Sequence, residues 1–195
     1  MDATILVIEE SLDLCRLFEY MLRADGYTVR AFHHAVEAYK IAGLLKASGT
    51  GAAEWADWGG FKMESNDSIK TNLAITDALG ARAMIHSDSA DGAQRLNQEV
   101  AKAMYAGRAA GINVTEDQAI RWLTINPAWA LALDDKIGSI EVGKNADVVL
   151  WSGDPFSIYT KAERVWIDGA LLFDRTDAAE QWRTDFELGV VREKN

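Results

Sequence analysis

Four short, mostly apolar runs, each stopping at charged or polar residues, constrain what this chain can fold into more than any other feature. Thr4 to Ile8 ends at Glu9-Glu10-Ser11, Tyr27 to Phe32 at His33-His34, Gly51 to Ala56 at Asp57, and Ala81 to Ile85 at His86-Ser87-Asp88-Ser89. Helical spacing fills the gaps between them. Leu12, Leu14, Cys15, Leu17, Phe18, Met21 and Leu22 recur along one helix up to Ala24, and Asp25-Gly26 closes it. A second helix spans Ala35 to Ala47 with Val36, Tyr39, Ile41, Leu44 and Leu45 as its apolar positions. A third starts at Asn66 or Ser68 and runs through Ile75 and Leu79 to Gly80. Strands that run the same way need a crossover, and a helix supplies it, so this alternation predicts a parallel α/β sheet.

In parallel sheets the reactive groups gather at the carboxyl ends of the strands. The stretch Ala83-Met84-Ile85-His86-Ser87-Asp88-Ser89 therefore stands out, and Asp88 is its leading candidate. The competing local reading is that Ser87 and Asp88 cap the helix beginning near Asp91, since both side chains accept hydrogen bonds from free backbone N–H groups. His86, at the end of an apolar strand, reads as a hydrogen-bonded core histidine. Trp55 and Trp58 precede a glycine pair, Gly59-Gly60, and serve either packing or substrate contact.

Two longer helices follow, Asp91 to Ala110 and Thr115 to about Ala130. Thr115 opens the second with Glu116 and Asp117 against its positive end, and Asn126-Pro127 kinks or breaks it. Beyond it, Ile137 to Glu141 and Ala146 to Trp151 are expected strands around the turn Val142-Gly143-Lys144-Asn145. Arg164 to Ile167 and Ala170 to Phe173 flank Asp168-Gly169, a strong hairpin signal. Residues 178–192 carry Trp182, Phe186 and Val190 at amphipathic helical spacing.

Thirty acidic against twenty basic residues give a net charge of −10, which repels phosphate backbones and argues against nucleic acid as a partner. The longest apolar runs fall short of the roughly 18 residues that span a bilayer, and no basic segment with an apolar signal core opens the chain, so a cytoplasmic protein without a membrane partner is expected. The single Cys15 cannot form an internal disulfide.

Several motifs occur together and in order: His33-His34-Ala35-Val36-Glu37-Ala38-Tyr39-Lys40, Trp55-Ala56-Asp57-Trp58-Gly59-Gly60-Phe61-Lys62, His86-Ser87-Asp88-Ser89, and Asn126-Pro127 leading to Gly138-Ser139-Ile140-Glu141-Val142-Gly143-Lys144-Asn145-Ala146-Asp147-Val148-Val149-Leu150-Trp151. Through them residues 33–195 resemble the carboxyl-terminal part of the metal-dependent amidohydrolase superfamily, closest to its imidazolonepropionase-like branch. Residues 1–32 resemble the start of a response-regulator receiver domain, whose first strand ends in an acidic pair that helps hold magnesium. Glu9 and Glu10 occupy that place.

The amidohydrolase resemblance implies a βα barrel with one or two divalent metals at the strand ends, where a metal-activated water attacks a C–N bond, usually an amide. It makes Asp88 the aspartate that contacts metal and shuttles the proton, and His34 a histidine that binds metal or substrate, with His33 as the neighbour that could face inward instead. Zinc is the metal it implies first, with manganese or magnesium as alternatives if Glu9 or Glu10 completes an oxygen-rich site, and no bound metal as the remaining case. The family's His-x-His pair, its lysine or glutamate and its further histidine have no counterpart, so hydrolysis by this chain alone is expected to be weak or absent.

The expected fold is α/β: a partial (half) βα barrel with four parallel strands plus a small carboxyl-terminal β-hairpin region, with a flavodoxin-like sheet as the alternative. The expected divisions are a receiver-like start at residues 1–32, the partial barrel at 33–135, and hairpins with a terminal helix at 136–195. A non-catalytic scaffold and a receiver-like phospho-signalling module, with Asp57 as acceptor and Ser87 as its hydroxyl, are the other functional readings. Four parallel strands leave two open edges, so a homodimer or larger assembly is expected, acting on a small-molecule substrate.

Overall fold

A computed structural model describes residues 4–8, 12–32, 42–56, 63–65 and 68–177 of the chain. It is a mixed α/β structure with small parallel and antiparallel sheets. Two compact units divide it, residues 1–139 and 140–195. Among the described residues no helix is long and apolar enough to cross a membrane.

The first unit contains the four parallel strands, β1 (Thr4–Ile8), β2 (Thr28–Phe32), β3 (Gly51–Glu54) and β4 (Arg82–Ile85). Among the described residues it also holds helices α1 (Leu12–Ala24), α2 (Ala42–Ser48), α3 (Asn72–Ala78), α4 (Ala90–Ala93), α5 (Leu96–Ala109), α6 (Glu116–Leu123) and α7 (Ile125–Ala130). β1 pairs with β2 in parallel, Thr4 opposite Thr28, and β3 pairs with β4 in parallel, Gly51 opposite Arg82.

The expected four-stranded sheet is therefore present, among the described residues, as two separate pairs. The ladder between residues 27–32 and 51–56 that barrel order requires is not among the described ones. Neither is the one between Thr4–Ile8 and Gly51–Ala56 that the flavodoxin-like alternative requires. A physical reason lies in β3, four residues of Gly-Ala-Ala-Glu, all poor strand formers, the first three of which have little or no side chain to pack against a second neighbour.

Helices around β4 form the main core. Ala83, Met84 and Ile85 of β4 are buried, as are Leu73 and Ala74 of α3, Val100, Ala103 and Met104 of α5, and Ala119 and Trp122 of α6. On α5 the buried positions Val100, Ala103, Met104 and Gly107 recur at three- and four-residue spacing, which places them on one face. Gly107 lets that face approach closely, since a Cβ there would lie 2.5 Å from the Ala74 Cβ. Cys15, Val29 and Leu22 make a smaller cluster between α1 and β2.

Both long helices expected from the sequence are interrupted. The first breaks at Gln94-Arg95 into α4 and α5, where Gly92 weakens the opening turn. The second opens at Thr115 with a reciprocal capping box: Thr115 Oγ1 accepts from Gln118 N at 3.2 Å, and Gln118 Oε1 accepts from Thr115 N at 2.9 Å. It then breaks at Thr124, whose backbone leaves the helical region at φ −120° and ψ −86°. Pro127 accordingly falls in the first turn of α7, where a missing N–H costs nothing. Asn126 Nδ2 donates to Ala83 O at 2.8 Å and ties α7 to β4.

Residues 137–141 are not the strand their apolar pattern predicts. Lys136 N and Ile137 N both bond to Leu133 O, and Gly138 has a φ of +87°, so the backbone turns where a strand would extend. In the second unit β5 (Val148–Trp151), β6 (Ala162–Ile167) and β7 (Ala170–Asp174) form an antiparallel sheet in the order β5-β6-β7. Asp168 and Gly169 both have positive φ, 50° and 79°, the pattern of a type I′ hairpin turn.

Candidate active site at the ends of the β3–β4 pair

The register of the β3–β4 pair sets Glu54 opposite Ile85, so the residues that follow, Trp55 and His86, leave the pair side by side. His86 N donates to Glu54 O at 3.3 Å and extends the ladder by one bond. The indole of Trp55 and the imidazole of His86 stack with ring centroids 4.8 Å apart and planes 24° from parallel. His86 is thus no core histidine. Its side chain is 39% exposed, because Trp55 covers one face of the ring and leaves the rest open.

Beyond His86 the chain turns into α4 through a local network. Ser89 Oγ accepts from Gly92 N at 3.2 Å and serves as the helix cap. Ser87 Oγ accepts from Ser89 N and donates to Ser89 O, both at 3.1 Å. The capping expected of Ser87 and Asp88 falls instead to Ser89, braced by Ser87. The Asp88 side chain stays 79% exposed, with its Oδ1 3.7 Å from His86 Nδ1. That separation is an electrostatic contact rather than a hydrogen bond.

Burial lowers the His86 pKa below its ordinary 6.5, and the Asp88 charge opposes part of that shift. The imidazole is therefore neutral at neutral pH, with a nitrogen lone pair available. As pH falls, the unfolded chain takes up a proton at this residue before the folded chain does. The associated stability is then fully present above about pH 6.5 and lost as pH drops through the folded value. The urea midpoint is expected to decrease as pH falls below about 6.5, and by less in His86→Gln than in wild type. Equal slopes in the two proteins would show that His86 is not responsible.

Asp88 and His86 offer one carboxylate and one imidazole, both suited to a divalent metal. Among the described residues no group of three or more His, Cys, Asp or Glu side chains is placed to hold an ion. A catalytic zinc normally takes three protein ligands, so this donor pair does not complete a site by itself. His33, His34, Glu9, Glu10, Asp57 and Trp58 lie outside the described residues.

Two contributors were missed by sequence reasoning. Asn72 Nδ2 donates to Trp55 O, and Thr76 Oγ1 donates to Glu54 Oε1 at 2.9 Å, so α3 grips the end of β3. The signal for them was a polar residue at positions 72 and 76, four apart on a helix, alongside the apolar Leu73 and Ala74.

Comparison with known proteins gives these positions a context. The model of the amidohydrolase family matches residues 32–183. The amidohydrolase tasK of Hapsidospora irregularis is 29% identical over 153 residues, 76% of this chain and 15% of that protein. The imidazolonepropionase of Shewanella oneidensis is 49% identical over 39 residues, 20% of this chain and 10% of that protein. Among solved structures, an amidohydrolase from Thermotoga maritima superposes with a TM-score of 0.65 at 29% identity, covering 88% of this chain and 44% of that one. The chain spans less than half the length of each.

Proposed function

The chain belongs to the amidohydrolase family, and from that premise we propose that it serves metal-dependent hydrolysis of the C–N bonds of amides, with Asp88 as metal-contacting proton shuttle and His34 as a second ligand. The observation that supports this reading is the state of Asp88. Ser89 and Ser87 meet the capping needs of α4, so an exposed carboxylate stands at the strand end with no structural duty there to account for it.

A carboxylate in that position accepts the proton of an attacking water and returns it to the departing amine, which is the task of a general base that becomes a general acid. A divalent metal, zinc foremost and manganese or magnesium otherwise, would supply Lewis-acid polarisation of the scissile carbonyl and of the water. Trp55 walls one side of this end of the pair and holds His86 in a fixed plane beside Asp88.

The four parallel strands, in this reading, are consecutive strands of a barrel half, and the chain acting alone is a weak catalyst. Metal content of protein purified without chelator is the direct test, measured beside a His34→Ala, Asp88→Ala double variant. Roughly one ion per wild-type chain and a clear loss in the variant are expected. Hydrolysis of an acyl dipeptide or a cyclic amide should fall roughly 100-fold or more in Asp88→Asn. Equal metal content in wild type and double variant, together with no hydrolysis by either, would leave a non-catalytic scaffold as the function.

A further inference from the structure

We propose that Asn72 and Thr76 are positioning residues, a buried polar brace on α3 that sets the plane of the Trp55 indole and through it the orientation of His86 beside Asp88. Both side chains are almost wholly enclosed, Asn72 at 6% and Thr76 at 1% exposure. Burying an amide and a hydroxyl costs free energy unless both are hydrogen-bonded, so apolar residues would be the cheaper filling for this face of α3.

Each group sends one bond across to the end of β3, Thr76 to Glu54, its last residue, and Asn72 to Trp55, which follows it. Asn72 Oδ1 accepts from Leu73 N at 2.7 Å, which orients the amide so that Nδ2 reaches Trp55 O. One helical turn further on, Thr76 Oγ1 holds the Glu54 carboxylate. Glu54 O in turn receives His86 N. The peptides on both sides of the Trp55 Cα are thus held, from α3 and from β4, which sets the direction in which the indole leaves the backbone to lie along the imidazole at 4.8 Å.

The brace meets the chain at the residue that bears the stacked ring, which ties it to the site. The bearing on function rests on Asp88 being the working carboxylate, but the test does not, because it needs neither metal nor substrate.

The chain has three histidines, so the Cε1–H signals of the isotopically labelled full chain can be resolved, with His86 identified by its loss in His86→Gln. At pH 8 the signal of a ring stacked on indole lies upfield, and Trp55→Leu supplies its unstacked position. Asn72→Asp, which keeps the shape and removes the donor, and Thr76→Val, which keeps the shape and removes the hydroxyl, should each move the His86 signal at least half of the way to the Trp55→Leu position. Thr76→Ser should leave it at the wild-type position. Val100→Ala, a core variant expected to lower the melting temperature by a similar amount, should also leave it there. Wild-type signals in Asn72→Asp and Thr76→Val would overturn the proposal, as would an equal displacement in Val100→Ala. Failure of metal binding or hydrolysis would not touch it.

Discussion

Trp122→Ala is expected to lower the unfolding free energy of the first unit by about 3–5 kcal/mol, the range for truncating a large aromatic in a packed interior. Trp122 is fully buried on α6, which packs against both β4 and α5, so the vacated volume is bounded by a strand and a helix that cannot collapse into it. Loss of that size is a large part of the stability of an ordinary domain, about 5–15 kcal/mol. Trp122→Phe should behave differently. The indole N–H is buried without a hydrogen-bond partner among the described residues, and removing it relieves a desolvation cost that offsets part of the lost volume. A loss under about 1.5 kcal/mol is expected for Phe. Urea denaturation of the two variants measures the contrast, and a cost for Ala no larger than that for Phe would show that the Trp122 site repacks freely.

Gly138→Ala should cost about 2–4 kcal/mol, the sum of a left-handed backbone and an overpacked site. Its φ is +87°, and a Cβ built there would stand 2.7 Å from the Ala128 Cβ and 2.9 Å from the Ile125 Cα. The contact with Ile125 is to backbone at the start of α7, which leaves no flexible side chain to yield. Gly143 is the internal comparison. Its φ of +97° carries the same conformational demand, but nothing lies within 4 Å of its Cβ position, so Gly143→Ala should cost only about 1–2 kcal/mol. Equal costs at the two glycines, read from urea midpoints, would mean that close packing around Gly138 contributes nothing.

These two glycines also mark where sequence reading was sound and where it fell short. The run from Gly138 to Asp147 was recognisable as a motif, and Asn126-Pro127 marked an interruption that occurs two residues earlier, at Thr124. Ile137 to Glu141 nonetheless looked like a strand, because its apolar residues satisfy a strand pattern while its hydrogen bonds are already committed to a turn. Asp88 was legible as an isolated carboxylate at a strand end. Its release from capping was not, since Ser87, Asp88 and Ser89 are all capable caps and only the placement of Gly92 N decides among them.

By itself the sequence determined whatever depends on neighbours along the chain. The period of apolar residues, the Thr115 to Gln118 capping pair and the Asp168-Gly169 turn act within a few residues, so their energetics are set before any tertiary contact forms. Only the tertiary structure decided the pairing of β1 with β2 and of β3 with β4, the stack of Trp55 on His86, and the grip of Asn72 and Thr76 on β3. Those partners lie 17 to 31 positions apart in the chain, as Asn72 and Trp55 or Trp55 and His86 do. Their meeting depends on how helices pack and strands register, and no local pattern encodes that distance.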